Sequence, residues 1–314
     1  MKILFMGTPD FARFSLRAMV EAGENVIGVV TQPDQPKGRG YVLTPPPVKV
    51  YAEEHNIPVY QPATLRSDEF FALLQSLDPD LIVVTAYGKI LPARVLDYPK
   101  LGCVNVHGSL LPEYRGAAPM QRAIMDGKTV TGITTMMMDP GIDTGDILLT
   151  GEVPITQEDN FETVHDKMGV CGAEVLLRTL SAIRSGTLVR HKQDEEKATY
   201  AAKIEKSDCL IDFSLSAQEL HNRIRGLSPV PLAFTHTPDG KLLKVPSAEV
   251  ASACGTPAPA GTVLSLDGGK VTVACGQGSI ALLSVIPEGK SRMTAAAWIN
   301  GRKIHVGDIL GAGR

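Results

Sequence analysis

The 314-residue sequence lacks the features of membrane, secreted and zinc-binding proteins. No apolar run reaches the roughly 18 residues that a membrane span needs, and the first residues show a strand-like pattern without a signal peptide's apolar stretch. The five cysteines are odd in number, widely spaced and never arranged as C-x-x-C, which argues against a disulfide framework and a zinc site. We therefore expect a cytoplasmic protein that binds no membrane and no metal, with its cysteines as buried thiols. A monomer is also expected, although none of these features bears on it.

The sequence also lacks a large excess of either charge, since the formal net charge is only −3. The distribution is uneven: residues 1–185 carry 16 Lys and Arg against 22 Asp and Glu, whereas residues 186–314 carry 15 against 12. An anionic ligand that spans both parts would find its more favourable field in the second part, with its net charge of +3.

The first half of the chain alternates short apolar runs with helical patterns. Residues 3–6, 25–31, 81–85 and 103–106 are continuously apolar and short, which predicts buried strands, and residues 68–77 between them show helical spacing. Strands that alternate with helices predict a doubly wound, mostly parallel, Rossmann-like α/β domain. Ligands bind outside the carboxyl ends of the strands in such sheets, so residues that follow a strand are the first candidates for function.

A different pattern follows a predicted helix over residues 161–184. Residues 187–207 are rich in charge and predict a solvated linker. A short predicted helix at 217–225 then precedes strands separated by turn signals, which are PDG at 238–240, DGG at 267–269 and GQGS at 276–279. We expect a small OB-like β-barrel.

The predicted organisation is therefore a catalytic α/β domain over residues 1–186, a linker over 187–207 and a C-terminal barrel over 208–314.

The opening strand leads into GTPDF at residues 7–11, which could suggest a dinucleotide site. Such a site needs three glycines spaced as G-x-G-x-x-G, and only Gly7 is present. The sequence therefore argues against a site for a nicotinamide dinucleotide.

The strongest candidates for catalysis follow two predicted strands. Asn105 and His107 lie two positions apart, which places both side chains on one face of an extended segment, where an amide donor and an imidazole could converge on one oxygen. Asp143 lies in a loop flanked by Gly141 and Gly145 and could orient a histidine or accept a proton. The plainer alternatives are an asparagine that caps a turn, a histidine satisfied by backbone, and an ordinary Asp-Gly turn.

The two segments together, NVHGSLLP at residues 105–112 and residues 132–146, resemble the signature of the folate-dependent formyltransferases. Three further segments resemble the methionyl-tRNA formyltransferase family: GTPDF at 7–11, TQPD with GRG at 31–40, and YRGAAP at 114–119. The resemblance covers nearly the whole chain and is strongest over residues 1–150. Tyr41-Val42 is a departure, because basic residues are typical of the family at these positions.

This resemblance implies transfer of the formyl group of 10-formyltetrahydrofolate to the α-amino group of methionyl initiator tRNA. It implies catalytic roles for Asn105, His107 and Asp143. Asn105 and protonated His107 would stabilise the negative oxygen that develops on the formyl group, and Asp143 would favour the imidazolium and relay the amine proton. No metal is required by this scheme.

The resemblance also implies two sets of binding residues. The folate-binding residues are expected to be Ala86, Tyr87, Gly88, Ile90, Leu91, Ser109, Leu110, Leu111 and Pro112. The tRNA-binding residues are expected to be Arg39, in a proline-rich loop over residues 32–47 that excludes a regular helix, and Lys203 and Lys206 near the barrel.

Two other interpretations remain open on the sequence alone. A formyltransferase that acts on a nucleotide sugar would share Asn105, His107 and Asp143, although the loop at 38–40 and the barrel argue against it. A nucleic-acid-binding protein would use an OB-like barrel, with the first domain as a relic.

Overall fold

The computed structural model describes residues 1–37, 41–255 and 258–311. The described chain divides into two compact units: the first holds Met1–Pro119, Val130–Pro154 and His165–Ala201, and the second holds Met120–Thr129, Ile155–Val164 and the residues from Ala202 onward. Each unit thus contains segments from more than one region of the sequence. The domain boundaries expected from the sequence stay a prediction.

Eleven strands precede residue 202 in the described chain. They are β1 (Ile3–Gly7), β2 (Val26–Val30), β3 (Gln35–Lys37), β4 (Val42–Thr44), β5 (Val59–Tyr60), β6 (Leu81–Thr85), β7 (Cys103–His107), β8 (Arg115–Gly116), β9 (Val130–Met137), β10 (Ile147–Pro154) and β11 (Tyr200–Ala201). The helices of the same stretch are α1 (Asp10–Glu21), α2 (Pro47–Glu54), α3 (Asp68–Leu77), α4 (Ala93–Leu96), α5 (Pro119–Met125) and α6 (Phe161–Ser185).

Seven of these strands form the main sheet of the first unit, in the order β10-β9-β7-β6-β1-β2-β5. Five neighbouring strands of this sheet run parallel, namely β5, β2, β1, β6 and β7. Strands β9 and β10 continue the sheet beyond β7, and each runs antiparallel to its neighbour. Every residue of β1 and β6 is buried, as expected for strands covered on both faces. The carboxyl ends of β1, β6 and β7 therefore meet at one edge of the sheet.

The second unit contains an antiparallel sheet. Its strands are β12 (Ala233–His236), β13 (Leu242–Ser252), β14 (Val263–Ser265), β15 (Val271–Ala274), β16 (Ser279–Pro287) and β17 (Met293–Thr294), and its later helices are α7 (Ala217–Gly226) and α8 (Ala295–Asn300). The order is β12-β13-β16-β15-β14, with β17 paired to β16. Residues of this sheet, α7 and α8 share one hydrophobic core, which includes Leu220, Leu282 and Trp298.

The fold class predicted from the sequence is confirmed in both parts of the chain. Helix α3 and strand β6 have the predicted bounds, and α6 and α7 each extend one residue beyond prediction. The three predicted turns separate β12 from β13, β14 from β15 and β15 from β16. The hairpin formed by β3 and β4 was not predicted, although the helix excluded over residues 32–47 is indeed absent from the described part of that loop until α2 begins at Pro47.

The cysteine prediction was partly wrong. Cys103, Cys209 and Cys275 are buried free thiols, and burial raises the pKa of Cys103 to about 12 and that of Cys275 to about 11. Cys171 is half-buried. Cys254 is exposed, because it follows the end of β13 outside the core.

Within the described chain, no helix is long and apolar enough to span a membrane, and no cluster of three or more His, Cys, Asp or Glu side chains is arranged to hold a metal ion.

Helix α7 carries a histidine in an unfavourable setting. The Nδ1 atom of His221 is buried and has no hydrogen-bond partner among the described residues. Burial, and then the nearby charge of Arg225, lower the pKa of His221, while Glu249 opposes them. The folded state therefore resists a proton that the unfolded chain accepts at a pH of about 6.5.

We expect His221 to make the protein sensitive to acid. A lowered folded pKa means that stability is present above the unfolded pKa and is lost as pH falls towards the folded value. His221→Gln should therefore show a smaller fall in Tm between pH 7 and pH 5 than the natural chain. His191→Gln, at an exposed side chain, should retain the natural pH dependence. Equal slopes of Tm against pH for all three proteins would contradict the prediction.

Candidate active site

Strand β7 ends at the carboxyl edge of the sheet and carries two of the predicted catalytic residues. Asn105 pairs with Val84 of β6 and with Met136 of β9, and His107 pairs with Thr134 of β9. Alternation along the strand places the Asn105 and His107 side chains on the same face, as predicted. His107 is 6% exposed, so its ring is shielded from bulk water.

Both nitrogens of the His107 ring face an oxygen acceptor. Nε2 lies 3.0 Å from the backbone oxygen of Tyr114, and because a carbonyl only accepts, Nε2 must carry a hydrogen in this arrangement. Nδ1 lies 3.6 Å from Oδ1 of Asp143 on the other side. A neutral ring would leave the Nδ1 lone pair facing a carboxylate oxygen, whereas an imidazolium offers a hydrogen to each acceptor.

Asp143 is held in a restrictive conformation. Its φ of 54° lies in the left-handed region that residues other than glycine seldom adopt. The backbone N–H of Gly116 donates to its Oδ2 at 2.8 Å, which leaves Oδ1 on the side of His107. The structure therefore brings His107 and Asp143 together, as the sequence predicted.

Asn105 differs from both in its surroundings. Among the residues that the structure describes, none forms a hydrogen bond with its half-buried side-chain amide. An amide that no protein group uses can donate to an oxygen of a bound molecule at small cost. Asn105 is therefore suited to bind a substrate oxygen. His107 was expected to stabilise the same oxygen, but both of its ring nitrogens face internal acceptors, which suits it better to move a proton; its part in stabilising the oxygen stays a prediction.

The loop after β6 lies beside the end of β7 and contains five of the predicted folate-binding residues. The carbonyl of Tyr87 accepts from the hydroxyl of Thr8 and from Nε2 of Gln32, both at 3.1 Å. Thr8 follows β1 and Gln32 follows β2, so three strand ends are tied at one carbonyl. Ala86 and Gly88 have φ values of 45° and 85°, which turns the loop sharply at the sheet edge.

The predicted folate residues fall into three groups by exposure. Ala86, Gly88 and Ile90 are exposed, with Ile90 73% exposed, and Leu110 and Pro112 are half-buried. The remaining side chains are buried, namely Tyr87, Leu91, Ser109 and Leu111. These four can offer a ligand mainly backbone groups, and whether the nine residues hold folate stays a prediction.

Two of the buried side chains have internal roles. The Ser109 hydroxyl donates to the backbone oxygen of Glu113 at 2.6 Å, and the Ser109 carbonyl accepts from Thr134. The Tyr87 ring belongs to the hydrophobic core, where burial raises its pKa to about 12. The Ser109 hydroxyl and the Tyr87 ring are therefore engaged in contacts within the protein.

Of the three predicted tRNA-binding residues, the structure describes Lys203 and Lys206. Arg39 lies outside the described residues. Lys203 and Lys206 are exposed in the second unit, and Lys206 begins a short 3-10 helix that ends at Cys209. Tyr41 and Val42, where basic residues were expected, are 80% and 67% exposed.

Sequence reasoning missed a hydrogen-bond network around Arg115. The Arg115 side chain is fully buried, and it donates to Oε1 of Gln193 at 2.8 and 3.0 Å and to both carboxylate oxygens of Glu195. The hydrogen bonds from Arg115 hold the pKa of the Glu195 carboxyl below its usual value. Gln193 also donates to the backbone oxygens of Asp143 and Gly145, at 2.8 Å each.

The segment that supplies these partners was predicted to be a solvated linker. Most of residues 187–201 are indeed exposed, but Gln193 is half-buried and contacts the loop of a predicted catalytic residue 50 positions earlier. No local pattern identifies such a contact. The motif YRGAAP pointed to Arg115 only as part of a family resemblance.

Gly145 allows the close approach that shapes the Asp143 loop. A Cβ atom at this position would overlap the backbone oxygen of Met137 at the end of β9. Because that neighbour is backbone, it cannot move aside cheaply, and we expect Gly145→Ala to destabilise the fold by about 1–3 kcal/mol. A lower Tm in thermal unfolding would show this. Gly255→Ala is the matched control, since its Cβ would meet no atom within 4 Å; equal Tm values for the two variants would contradict the prediction.

Comparison with known proteins agrees over both parts of the chain. The family model described as formyl transferase matches residues 1–180, and the model described as formyl transferase, C-terminal domain, matches residues 203–303. Among solved structures, the chain resembles an N-formyltransferase from Helicobacter canadensis, with a TM-score of 0.65 at 18% identity over 90% of this chain and 98% of that one. HypX from Aquifex aeolicus gives a TM-score of 0.63 at 17% identity, over 95% of this chain and 47% of that one. These two likenesses bear on the fold alone.

Curated relatives are much more similar. The methionyl-tRNA formyltransferase of Citrifermentans bemidjiense is 49% identical over 99% of this chain and 96% of its own length. That of Bacillus subtilis is 47% identical over 99% of this chain and 98% of its own length. Identity at this level over nearly the whole of both chains shows common family membership. The chain belongs to the methionyl-tRNA formyltransferase family.

Proposed function

We propose that the chain transfers the formyl group of 10-formyltetrahydrofolate to the α-amino group of methionyl initiator tRNA, which gives N-formylmethionyl-tRNA for translation initiation. The observation that carries the proposal is the arrangement at the end of β7. His107 lies between the Tyr114 carbonyl and the Asp143 carboxylate, with the Asn105 amide beside it on the same strand face. Family relatives that are 46–49% identical over nearly the whole chain support it.

The folate supplies an activated formyl group and a nitrogen leaving group. The residues at the carboxyl edge fit such a ligand in two respects. Ile90 offers an exposed apolar side chain to a flat ring, and the exposed backbone at Ala86 and Gly88 offers hydrogen-bonding groups. These residues lie next to the end of β7, so a ring held there would bring its formyl group towards Asn105.

Asn105 is proposed to stabilise the negative charge that develops on the formyl oxygen. The attacking α-amino group has a pKa of roughly 7.7 to 8, so a useful fraction is neutral near neutral pH and needs little activation. The costly feature is the developing oxyanion, and a preorganised donor there typically contributes about a hundredfold or more in rate. The Asn105 amide has no competing partner within the described chain and needs to break no internal hydrogen bond.

His107 and Asp143 are proposed to handle the proton. Formation of the new C–N bond requires the amine to lose a proton, and cleavage of the old C–N bond requires the leaving nitrogen to gain one. The Nε2 hydrogen of His107 is held by the Tyr114 carbonyl, so Nδ1, which faces Asp143, carries the proton that can move. Asp143 accepts the proton that the amine loses, and the Nδ1 proton of His107 passes to the leaving folate nitrogen. Transfer of the proton from Asp143 to Nδ1 then restores both groups.

Replacement of each catalytic residue should lower kcat with little effect on folding. We expect Asn105→Ala, His107→Ala and Asp143→Ala each to reduce kcat by about a hundredfold or more, because each removes a contact made mainly in the transition state. Steady-state kinetics with charged initiator tRNA measures this, and circular dichroism confirms the fold. Glu53→Gln, at an exposed position on α2, is the control. Near-normal turnover in the three variants would overturn the assignment.

The reaction itself is tested with three acceptors. The purified protein would receive 10-formyltetrahydrofolate with charged initiator tRNA, with uncharged tRNA, or with an amino sugar nucleotide. Only the first mixture should yield formyl-methionine. Formylation of the sugar alone would favour the rival enzyme, and tRNA binding without turnover would favour a binding protein.

We propose that Lys203 and Lys206 contact tRNA phosphates and that Arg39 contacts the acceptor end. The net positive charge of residues 186–314 supports the first assignment, and the family resemblance supports both. That the protein acts as a monomer stays a prediction.

Removal of the two lysines should weaken tRNA binding and its dependence on salt. Each phosphate contact releases counterions, so Lys203→Ala/Lys206→Ala should reduce the slope of log K against log salt by about 2. The charge-matched control Lys290→Ala/Arg292→Ala removes two exposed cations of the same unit and should leave the slope unchanged. Titrations of labelled tRNA at several salt concentrations decide between them, and equal slopes in both double variants would exclude the lysines.

A further inference from the structure

We infer that Gln193 is a positioning residue for formyl transfer, which fixes the Asp143 carboxylate beside His107 and is itself fixed by the buried guanidinium of Arg115. The inference rests on the proposed function and extends it to residues outside the predicted site. Its basis is a set of hydrogen bonds that connects the charged segment at 187–201 to the loop after β9.

The amide of Gln193 has all of its hydrogen-bonding capacity in use. Nε2 donates one hydrogen to the backbone oxygen of Asp143 and the other to that of Gly145, each at 2.8 Å. Oε1 accepts from Nε and Nη2 of Arg115, at 3.0 and 2.8 Å. An amide with two donors and two acceptor positions occupied has one possible orientation. Gln193 therefore holds two carbonyls of the Asp143 loop at fixed positions.

The loop needs such support because of its backbone. Asp143 has a φ of 54°, a conformation that persists in a non-glycine residue when surrounding contacts impose it. The bond from Gln193 fixes the carbonyl of Asp143, and the bond from Gly116 fixes its Oδ2. Together these two contacts determine where Oδ1 lies relative to Nδ1 of His107.

Arg115 reaches the other side of His107 as well. Its own backbone follows Tyr114, whose carbonyl holds Nε2 of the ring, and the N–H groups of both residues are bonded to Thr199. The same short segment, residues 193–199, thus supports the acceptor on Nε2 and the acceptor near Nδ1. Within this segment, Glu195 is the charged residue that pairs with Arg115, and its carboxylate is 68% exposed.

The test uses two replacements of Gln193. Gln193→Glu keeps the shape but places a carboxylate oxygen against two carbonyl oxygens, and Gln193→Met keeps the length without hydrogen bonds. A catalytic group displaced by about 1 Å can lose about a hundredfold in rate, so we expect kcat to fall by about tenfold to a hundredfold while KM for the folate stays within about twofold. The control is Glu196→Gln, an exposed neighbour outside the network, which should retain the natural kcat.

A double-variant cycle separates positioning from mere support of the fold. In an Asp143→Ala background, Gln193→Met should cause no further loss of single-turnover rate, because the group that it positions is already gone. Losses that multiply in the double variant would overturn the inference, as would a Gln193→Met protein with natural kcat. Thermal unfolding would identify variants that do not fold. In that case Gln193→Asn, which keeps the amide but shortens its reach, provides the comparison. A folded Gln193→Asn protein with natural kcat would also overturn the inference.

The outcome is distinguishable from failure of the proposed function. A natural chain that forms no formyl-methionine would overturn the proposed function and this inference with it. A natural chain that turns over, with unchanged kcat in all Gln193 variants, would overturn the inference alone.

Discussion

The imidazole of His107 has an oxygen acceptor at each ring nitrogen, and the local structure of the site follows from that requirement. Nε2 is held by a backbone carbonyl, which needs the chain to turn back at Tyr114, and Nδ1 faces a carboxylate, which needs the loop at Asp143. Because His107 is buried, water cannot replace either acceptor. The strand end, the turn and the loop are therefore coupled through one ring.

Among the described residues, the three loops around His107 and Tyr87 each contain a non-glycine residue with positive φ, namely Ala86, Tyr114 and Asp143. Each of these conformations is restrictive and needs contacts that impose it. The carbonyl of Tyr87 is held by Thr8 and Gln32, the N–H of Tyr114 by Thr199, and the carbonyl of Asp143 by Gln193. Restrictive backbone conformations supported from outside are typical of sites where groups must be fixed before a substrate arrives.

The sequence predicted those parts of the molecule that depend on local pattern. Buried strands are continuously apolar, so β6 and the helix α3 were located to the residue. The spacing of Asn105 and His107 predicted their common face, and the glycines around Asp143 predicted a tight loop. Contacts over long sequence separations leave no such pattern. Gln193 looked like one polar residue in an exposed charged segment, and only the folded chain shows that it binds a loop 50 positions away.

The exposure of side chains was the weakest part of the sequence prediction, for a related reason. A motif identifies residues near a ligand without showing whether the side chain or the backbone faces it. Tyr87 and Leu91 belong to the core, while Ile90 between them is exposed. Cys254 is exposed because β13 has ended before it, whereas the number and spacing of the cysteines had suggested that all five are buried thiols.

In the proposed mechanism, Asn105 and His107 serve two chemical needs from one strand. A donor that stabilises a developing charge is most effective when it has no internal partner, since no hydrogen bond must be broken as the charge appears. A group that transfers a proton needs the opposite, because its tautomer and orientation must be set by fixed partners before reaction. In the part of the chain that the structure describes, the Asn105 amide has no partner and the His107 ring has two acceptors, which fits these proposed roles two residues apart on β7. In the proposed reaction, the fixed contacts around Asp143 serve proton transfer, and the Asn105 amide serves the formyl oxygen.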